Sequence, residues 1–93
     1  MIIGVLTIEL FIYSSSSLKE KRLVVKSLKD KLKHKFNIAI AEVGFLDKWQ
    51  RAEIGIVTLG NEYSHVENSL QKIFRYLDEW NDFEIVNHSI DYC

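Results

Sequence analysis

Proline is absent from the 93 residues, and cysteine occurs once, at Cys93. A single thiol excludes an internal disulfide framework and any cysteine-based zinc site. Without proline, nothing marks a stiff linker or a domain boundary. Glycine is sparse, with 4 residues, and the Walker, dinucleotide-binding and G-x-S-x-G patterns are all missing. No apolar run reaches the ~20 residues that a spanning helix needs. The longest, Ile2 to Tyr13, is interrupted by Glu9 and has no basic residue before it, unlike a secretory leader. A cytoplasmic protein is therefore expected, and a lone thiol is ordinary there. An excess of one charge is lacking too: 12 Lys and Arg stand against 13 Asp and Glu, a net charge of -1. Taken whole, that balance argues against a polyanionic partner.

What is present is a globular composition, 47% hydrophobic and 27% charged. The length fits one domain, residues 1–93, with one modest core. No internal repeat occurs at the usual periods. Ile2 to Ile12 predicts a strand with two apolar faces: Ile2, Gly4, Leu6, Ile8 and Leu10 on one, Ile3, Val5, Thr7, Glu9 and Phe11 on the other. The run Ser14 to Ser17 is a strand-to-helix loop. A helix follows over Leu18 to Phe36, with Ser17 and Glu20 spaced as a capping box. Its apolar stripe is Leu18, Val25, Leu28, Leu32 and Phe36, with Val24 beside them.

A second strand is expected over Asn37 to Phe45 and a third over Trp49 to Leu59, joined by a short turn. In the third, Ala52, Ile54, Ile56 and Thr58 alternate with Glu53, Gly55, Val57 and Leu59. Asn61, or Ser64 with Glu67, offers to cap a second helix striped by Tyr63, Val66, Leu70, Ile73 and Leu77. Asp82 to about Tyr92 reads as the last strand. The order β-α-β-β-α-β implies an α+β, ferredoxin-like domain, a four-stranded antiparallel sheet with two helices on one face. The other face would hold Ile3, Val5, Phe11, Val57 and Leu59, with either Ile38 and Ile40 or the alternate residues of the second strand. Such a face is too apolar to stay wet, and a homodimer through the sheet is the simple consequence.

The net charge hides a segregation. The first helix carries Lys19, Lys21, Arg22, Lys26, Lys29, Lys31, Lys33 and Lys35 against only Glu20 and Asp30, a local charge of +6, and the remainder of the chain carries −7. At ~100° per residue, Lys19, Arg22, Lys26, Lys29 and Lys33 fall within an arc of roughly 80°. They form one stripe with cations every ~5–6 Å, comparable with phosphate spacing on a nucleic-acid backbone. A solvated face whose lysine stems cover the rim of the core gives the same pattern. Like charges at this spacing repel, however, and a purely structural helix would more often interleave glutamates. Lys21 projects toward the apolar face from the first turn, where a cation opposes the helix dipole. It either snorkels or reaches a functional partner, and we count it with the stripe as a candidate nucleic-acid contact.

Glu9, Glu42 and Glu53 each interrupt an apolar strand. A shared face would let them bind a metal or pair with Arg51, and ion pairing or dimer contact is the better reading for carboxylates alone. His34, His65 and His88 lie on three different elements without ligand spacing. Neither a catalytic residue set nor a cofactor or metal site is expected. An RNA-recognition motif shares the element order, but it stacks bases on aromatics of its first and third strands. Here those centres are Ile3-Val5-Thr7 and Glu53-Gly55-Val57. RNA contact is therefore expected from the helix side. Trp49, which opens the third strand, either stacks on a base or packs against its own turn.

The segment Ser17-Leu18-Lys19-Glu20-Lys21-Arg22 resembles the YlxP-like family of bacteria, domain of unknown function 503. The resemblance continues through Asn37, Ala41-Glu42-Val43, Trp49-Gln50-Arg51-Ala52 and Gly55. It covers essentially the whole chain. Gly44 departs from it, since similar sequences often carry Asp after A-E-V. The resemblance implies a ferredoxin-like fold without an established catalytic activity. It also implies a ribosome-linked role, because family members are encoded near translation-initiation and ribosome-maturation factors. The expected function is thus a non-enzymatic factor that binds RNA or a ribosomal particle through residues 18–36. The alternative is a homodimeric interaction module whose basic helix meets an acidic protein. A hydrolase of acylphosphatase type ranks last, since the serine loop lacks the Arg and Asn of a phosphate cradle.

Overall fold

The computed structural model describes all 93 residues. Its elements are β1 (Ile2–Phe11), α1 (Leu18–Lys35), β2 (Ala39–Gly44), β3 (Arg51–Gly60), α2 (Tyr63–Asp78) and β4 (Glu84–Tyr92). The strands form one antiparallel sheet in the order β2-β3-β1-β4, and the expected ferredoxin-like α+β fold is observed. No helix is long and apolar enough to cross a membrane.

The core follows from the two periodicities. Leu6, Ile8 and Leu10 of β1 lie opposite Ile56, Ile54 and Ala52 of β3, on the helix-covered face. Val25, Leu28 and Leu32 of α1 and Val66, Leu70, Ile73 and Leu77 of α2 close over them. Each such fully buried aliphatic side chain contributes about 1.5–3 kcal/mol relative to an exposed one. Gly4 continues the same face of β1 and lets α2 approach. A Cβ there would sit 2.6 Å from Val66 Cγ1 and 2.8 Å from Leu70 Cδ1. Gly4→Ala should therefore destabilise the fold by about 1–3 kcal/mol through overpacking. A urea midpoint equal to the parent's would show that α2 is not seated this closely.

Local sequence accounts for the start of α1. Ser17 is its N-cap, and its Oγ accepts from the Glu20 N–H at 3.1 Å. The reciprocal half of the expected capping box is displaced by one residue, because the Glu20 carboxylate accepts from the Ser16 N–H at 2.9 Å and the Ser16 hydroxyl at 3.0 Å. These two bonds hold the Glu20 carboxyl below its ordinary value of 4.5. For α2, neither Asn61 nor Ser64 caps: the N-cap is Glu62, without a side-chain bond.

Register settles the facing of β2. Ile40 lies opposite Ile56 and Glu42 opposite Ile54, on the helix side, whereas Ala39 and Ala41 lie opposite Val57 and Gly55 on the open side. A bulge between Glu42 and Gly44 leaves Val43 out of register. The open face is less apolar than expected. Ile3, Val5, Val57, Leu59, Ala39 and Ala41 make an apolar end. Thr7, Glu9 and Glu53 follow, and β4 adds Asn87, Ser89 and Asp91 opposite Glu9, Thr7 and Val5.

Candidate nucleic-acid interface

Helix α1 presents three faces. Its core face consists of Lys21, Val25, Leu28 and Leu32, all buried. One flank turns to α2, where Lys31 Nζ lies 4.7 Å from the Trp80 ring centre and Lys35 Nζ 4.3 Å from that of Tyr76. The other flank carries Lys19, Arg22, Lys26, Lys29 and Lys33, at roughly 80–160° from Lys21 around the helix axis. Lys29 is half-buried and the other four are exposed. The structure thus brings the five predicted stripe residues together on the flank directed away from α2, along the side of edge strand β2.

Along this flank the only ion pair is Lys26 Nζ to Asp30 Oδ2, at 3.3 Å between side chains 73% and 64% exposed. Such an i,i+4 pair contributes about 0.3–0.5 kcal/mol and opens readily to a competing anion. The remaining four stripe cations have no carboxylate partner within the chain. From Lys19 to Lys33 the stripe runs about 21 Å at ~1.5 Å per residue.

Lys21 does not belong to the stripe. It is 0% exposed, and its ammonium donates to the carbonyl oxygens of Phe45 at 2.8 Å, Arg51 at 3.2 Å and, more weakly, Leu46 at 3.4 Å. Its Nζ also lies 2.9 Å from Glu42 Oε2, an ion pair whose angles are not those of an aligned hydrogen bond. Its position among Val25, Leu28 and Leu32 in the apolar register is the signal for this burial. No phosphate reaches Lys21, and its candidacy as a nucleic-acid contact is withdrawn. It fastens α1 to both ends of the β2–β3 connection. Phe45, whose carbonyl turns toward Lys21, has φ 56°, the left-handed region that a bulky residue enters only when its surroundings hold it there.

The acidic strand residues separate in the same way. Glu42 faces the helices and serves Lys21. Glu9 and Glu53 lie opposite each other on the open face, and Glu9 Oε2 takes the Arg51 guanidinium at 2.6 Å. No group of three or more His, Cys, Asp or Glu residues is placed to hold a metal ion.

Of the remaining motif residues, Leu18 covers the core rim, half-buried, and Ser17 and Glu20 serve the helix start. Gln50 Nε2 donates to the Tyr13 carbonyl at 3.2 Å, and the Gln50 carbonyl accepts from the Ile12 N–H at 2.8 Å. Trp49 stands 57% exposed and takes part in no ring-to-ring contact. Nearby, the Tyr13 hydroxyl donates to Glu84, which pushes the phenol above its ordinary value.

The conserved-family model "Protein of unknown function (DUF503)" matches residues 3–90. The chain is also similar to the "Uncharacterized protein YlxP" of Bacillus subtilis (strain 168), with 37% identity over 82 residues, 88% of this chain and 89% of that protein. Matched over nearly its whole length by that model, the chain belongs to the DUF503 family.

Proposed function

We propose that this is a non-enzymatic RNA-binding protein, associated with ribosomal particles, that docks the phosphate backbone along α1. The observation that carries the reading is the stripe of Lys19, Arg22, Lys26, Lys29 and Lys33, four of them without a carboxylate partner, on one flank of a helix whose other faces are occupied. A helix of +6 on a remainder of −7 gives the molecule a strong charge asymmetry. That asymmetry orients α1 toward a polyanion and the rest away from it.

The native protein should migrate with ribosomal particles in a sucrose gradient at low salt and be stripped off at high salt, because each neutralised phosphate releases counterions. Free migration at both salt concentrations would sink the ribosomal association. The second reading, a homodimeric interaction module, rests on the apolar end of the open face, where Leu59 is 60% exposed beside Ile3, Val5 and Val57. It requires a dimer in light scattering and no retention of RNA.

A further inference from the structure

We propose that the cleft beside Trp49 seats one unstacked nucleobase, so that the RNA lying along α1 is single-stranded or bulged at the N-terminal end of the stripe. The proposal rests on the reading of the stripe as a backbone contact and adds to it the class of RNA recognised.

The connection between β2 and β3 is held at both ends. Lys21 takes the Phe45 and Arg51 carbonyls, and Gln50 is tied by two bonds to Ile12 and Tyr13, the residues just after β1. On this fixed frame Trp49 points outward. The ring-to-ring contacts of the chain involve Phe11 with Tyr13, Phe36 with Tyr76, Tyr63 with Tyr92, Phe74 with His88, and Trp80 with Tyr76 and Phe83. Trp49 is in none of them. The second tryptophan, Trp80, is by contrast stacked on Phe83 at 5.4 Å, with Lys31 Nζ 4.7 Å from its ring centre. A large indole left in water on a rigid support is an unused stacking surface.

A cleft of about 400 Å³ opens there, lined by Phe11, Asp47, Lys48, Trp49, Gln50 and Arg51. That volume is in the range of small-ligand sites. The lining suits a planar, hydrogen-bonding ring with a phosphate attached. Trp49 and Phe11 supply aromatic surface, and the Arg51 guanidinium, held by Glu9 at 2.6 Å and lying over the Phe45 ring at 5.2 Å, sets a fixed positive charge in the wall. Gln50 and Asp47 offer amide and carboxylate groups to a base edge, and Asp47 disfavours a bare anion in the cleft. Lys48 stands at its margin for the attached phosphate.

Position joins the cleft to the stripe. Lys21 bonds the loop to the first turn of α1, and its sequence neighbours Lys19 and Arg22 begin the stripe. A backbone followed from Lys33 to Lys19 reaches the end of the sheet where this loop lies, and the next nucleotide has to turn round that end to the open-face side, where Phe11 and Arg51 line the cleft. Bases within a duplex are stacked on one another and do not enter such a cleft, whereas an unpaired nucleotide does.

The test measures binding at fixed low salt of a labelled single-stranded RNA of about 12 nucleotides and a blunt duplex of the same length. The proteins are the parent, Trp49→Ala, Trp49→Phe and the triple variant K26E/K29E/K33E. Trp49→Ala should weaken single-strand binding by about 5- to 150-fold, the cost of one lost base–aromatic stack, with Trp49→Phe between it and the parent. Duplex affinity should not change with either tryptophan variant. If Trp49→Ala binds the single strand as the parent does while the triple variant loses it, the cleft is not a base site and the stripe reading stands. Equal losses on single strand and duplex would also overturn the cleft. A parent that binds neither RNA overturns the stripe reading, and this inference with it.

Discussion

Replacing Lys21 by Met should destabilise the protein by about 3–5 kcal/mol, the usual consequence of removing one partner of a buried ion pair. The physical loss has two parts. The Glu42 carboxylate, 15% exposed, is left without its cation, and the Phe45 and Arg51 carbonyls lose a charged donor. Burying unpaired polar groups accounts for most of the effect, so removing the second charge as well should reverse much of it. The double variant K21M/E42L is expected to recover the greater part of the lost stability. Urea unfolding followed by circular dichroism checks both. A Lys21→Met midpoint close to the parent's would mean that Lys21 does not anchor the β2–β3 connection.

Charge reversal on the stripe should have the opposite profile, a large effect on binding and almost none on stability. K26E/K29E/K33E replaces three of the five stripe cations, two of them exposed and Lys29 half-buried, and none in the core. Substitutions of this kind at the surface usually change stability by no more than about 0.5 kcal/mol. RNA affinity at low salt should fall on the order of 100-fold or more, because phosphate contacts supply nearly all non-specific binding. The matched control is K31E/K35E, on the same helix but on the flank where these lysines cover Trp80 and Tyr76. Its loss should be clearly smaller. Equal losses in the two variants, scaled to the charge changed, would reduce the effect to net charge and dismiss the stripe as a site.

The parts of the molecule legible in the sequence are those governed by local periodicity. Alternation in Ile2–Phe11 and Arg51–Gly60 places Leu6, Ile8, Ile54 and Ile56 in the core without reference to anything distant. The stripe is legible for the same reason, since helical geometry alone brings Lys19, Arg22, Lys26, Lys29 and Lys33 together. The facing of β2 is not, because Ile38 and Ile40 on one side and Ala39, Ala41 and Val43 on the other are both apolar. It is decided by Glu42, which meets Lys21 across the tertiary structure.

Lys21 shows the same limit. A lysine is almost never fully buried unless paired, and its partners come from β2, the hairpin loop and β3. Its helical position puts it among the core residues, but only the fold supplies the oxygens that make burial possible. At the start of α2 the sequence offers two caps, Asn61 and Ser64, and the fold uses neither side chain. For Trp49 the alternatives were packing onto its turn or standing free. The bonds of Gln50 and Lys21 hold the ends of its loop, and the indole is left 57% exposed.

RNA docked on the α1 stripe should show itself first in the salt dependence of binding. The five stripe contacts contribute about −3.5 to the slope of log affinity against log salt for single-stranded RNA, at ~0.7 per neutralised phosphate. In K26E/K29E/K33E two stripe contacts remain, at Lys19 and Arg22, and their contribution should fall to about −1.4. Parent and variant binding with the same slope and the same affinity would mean that RNA does not lie on this stripe.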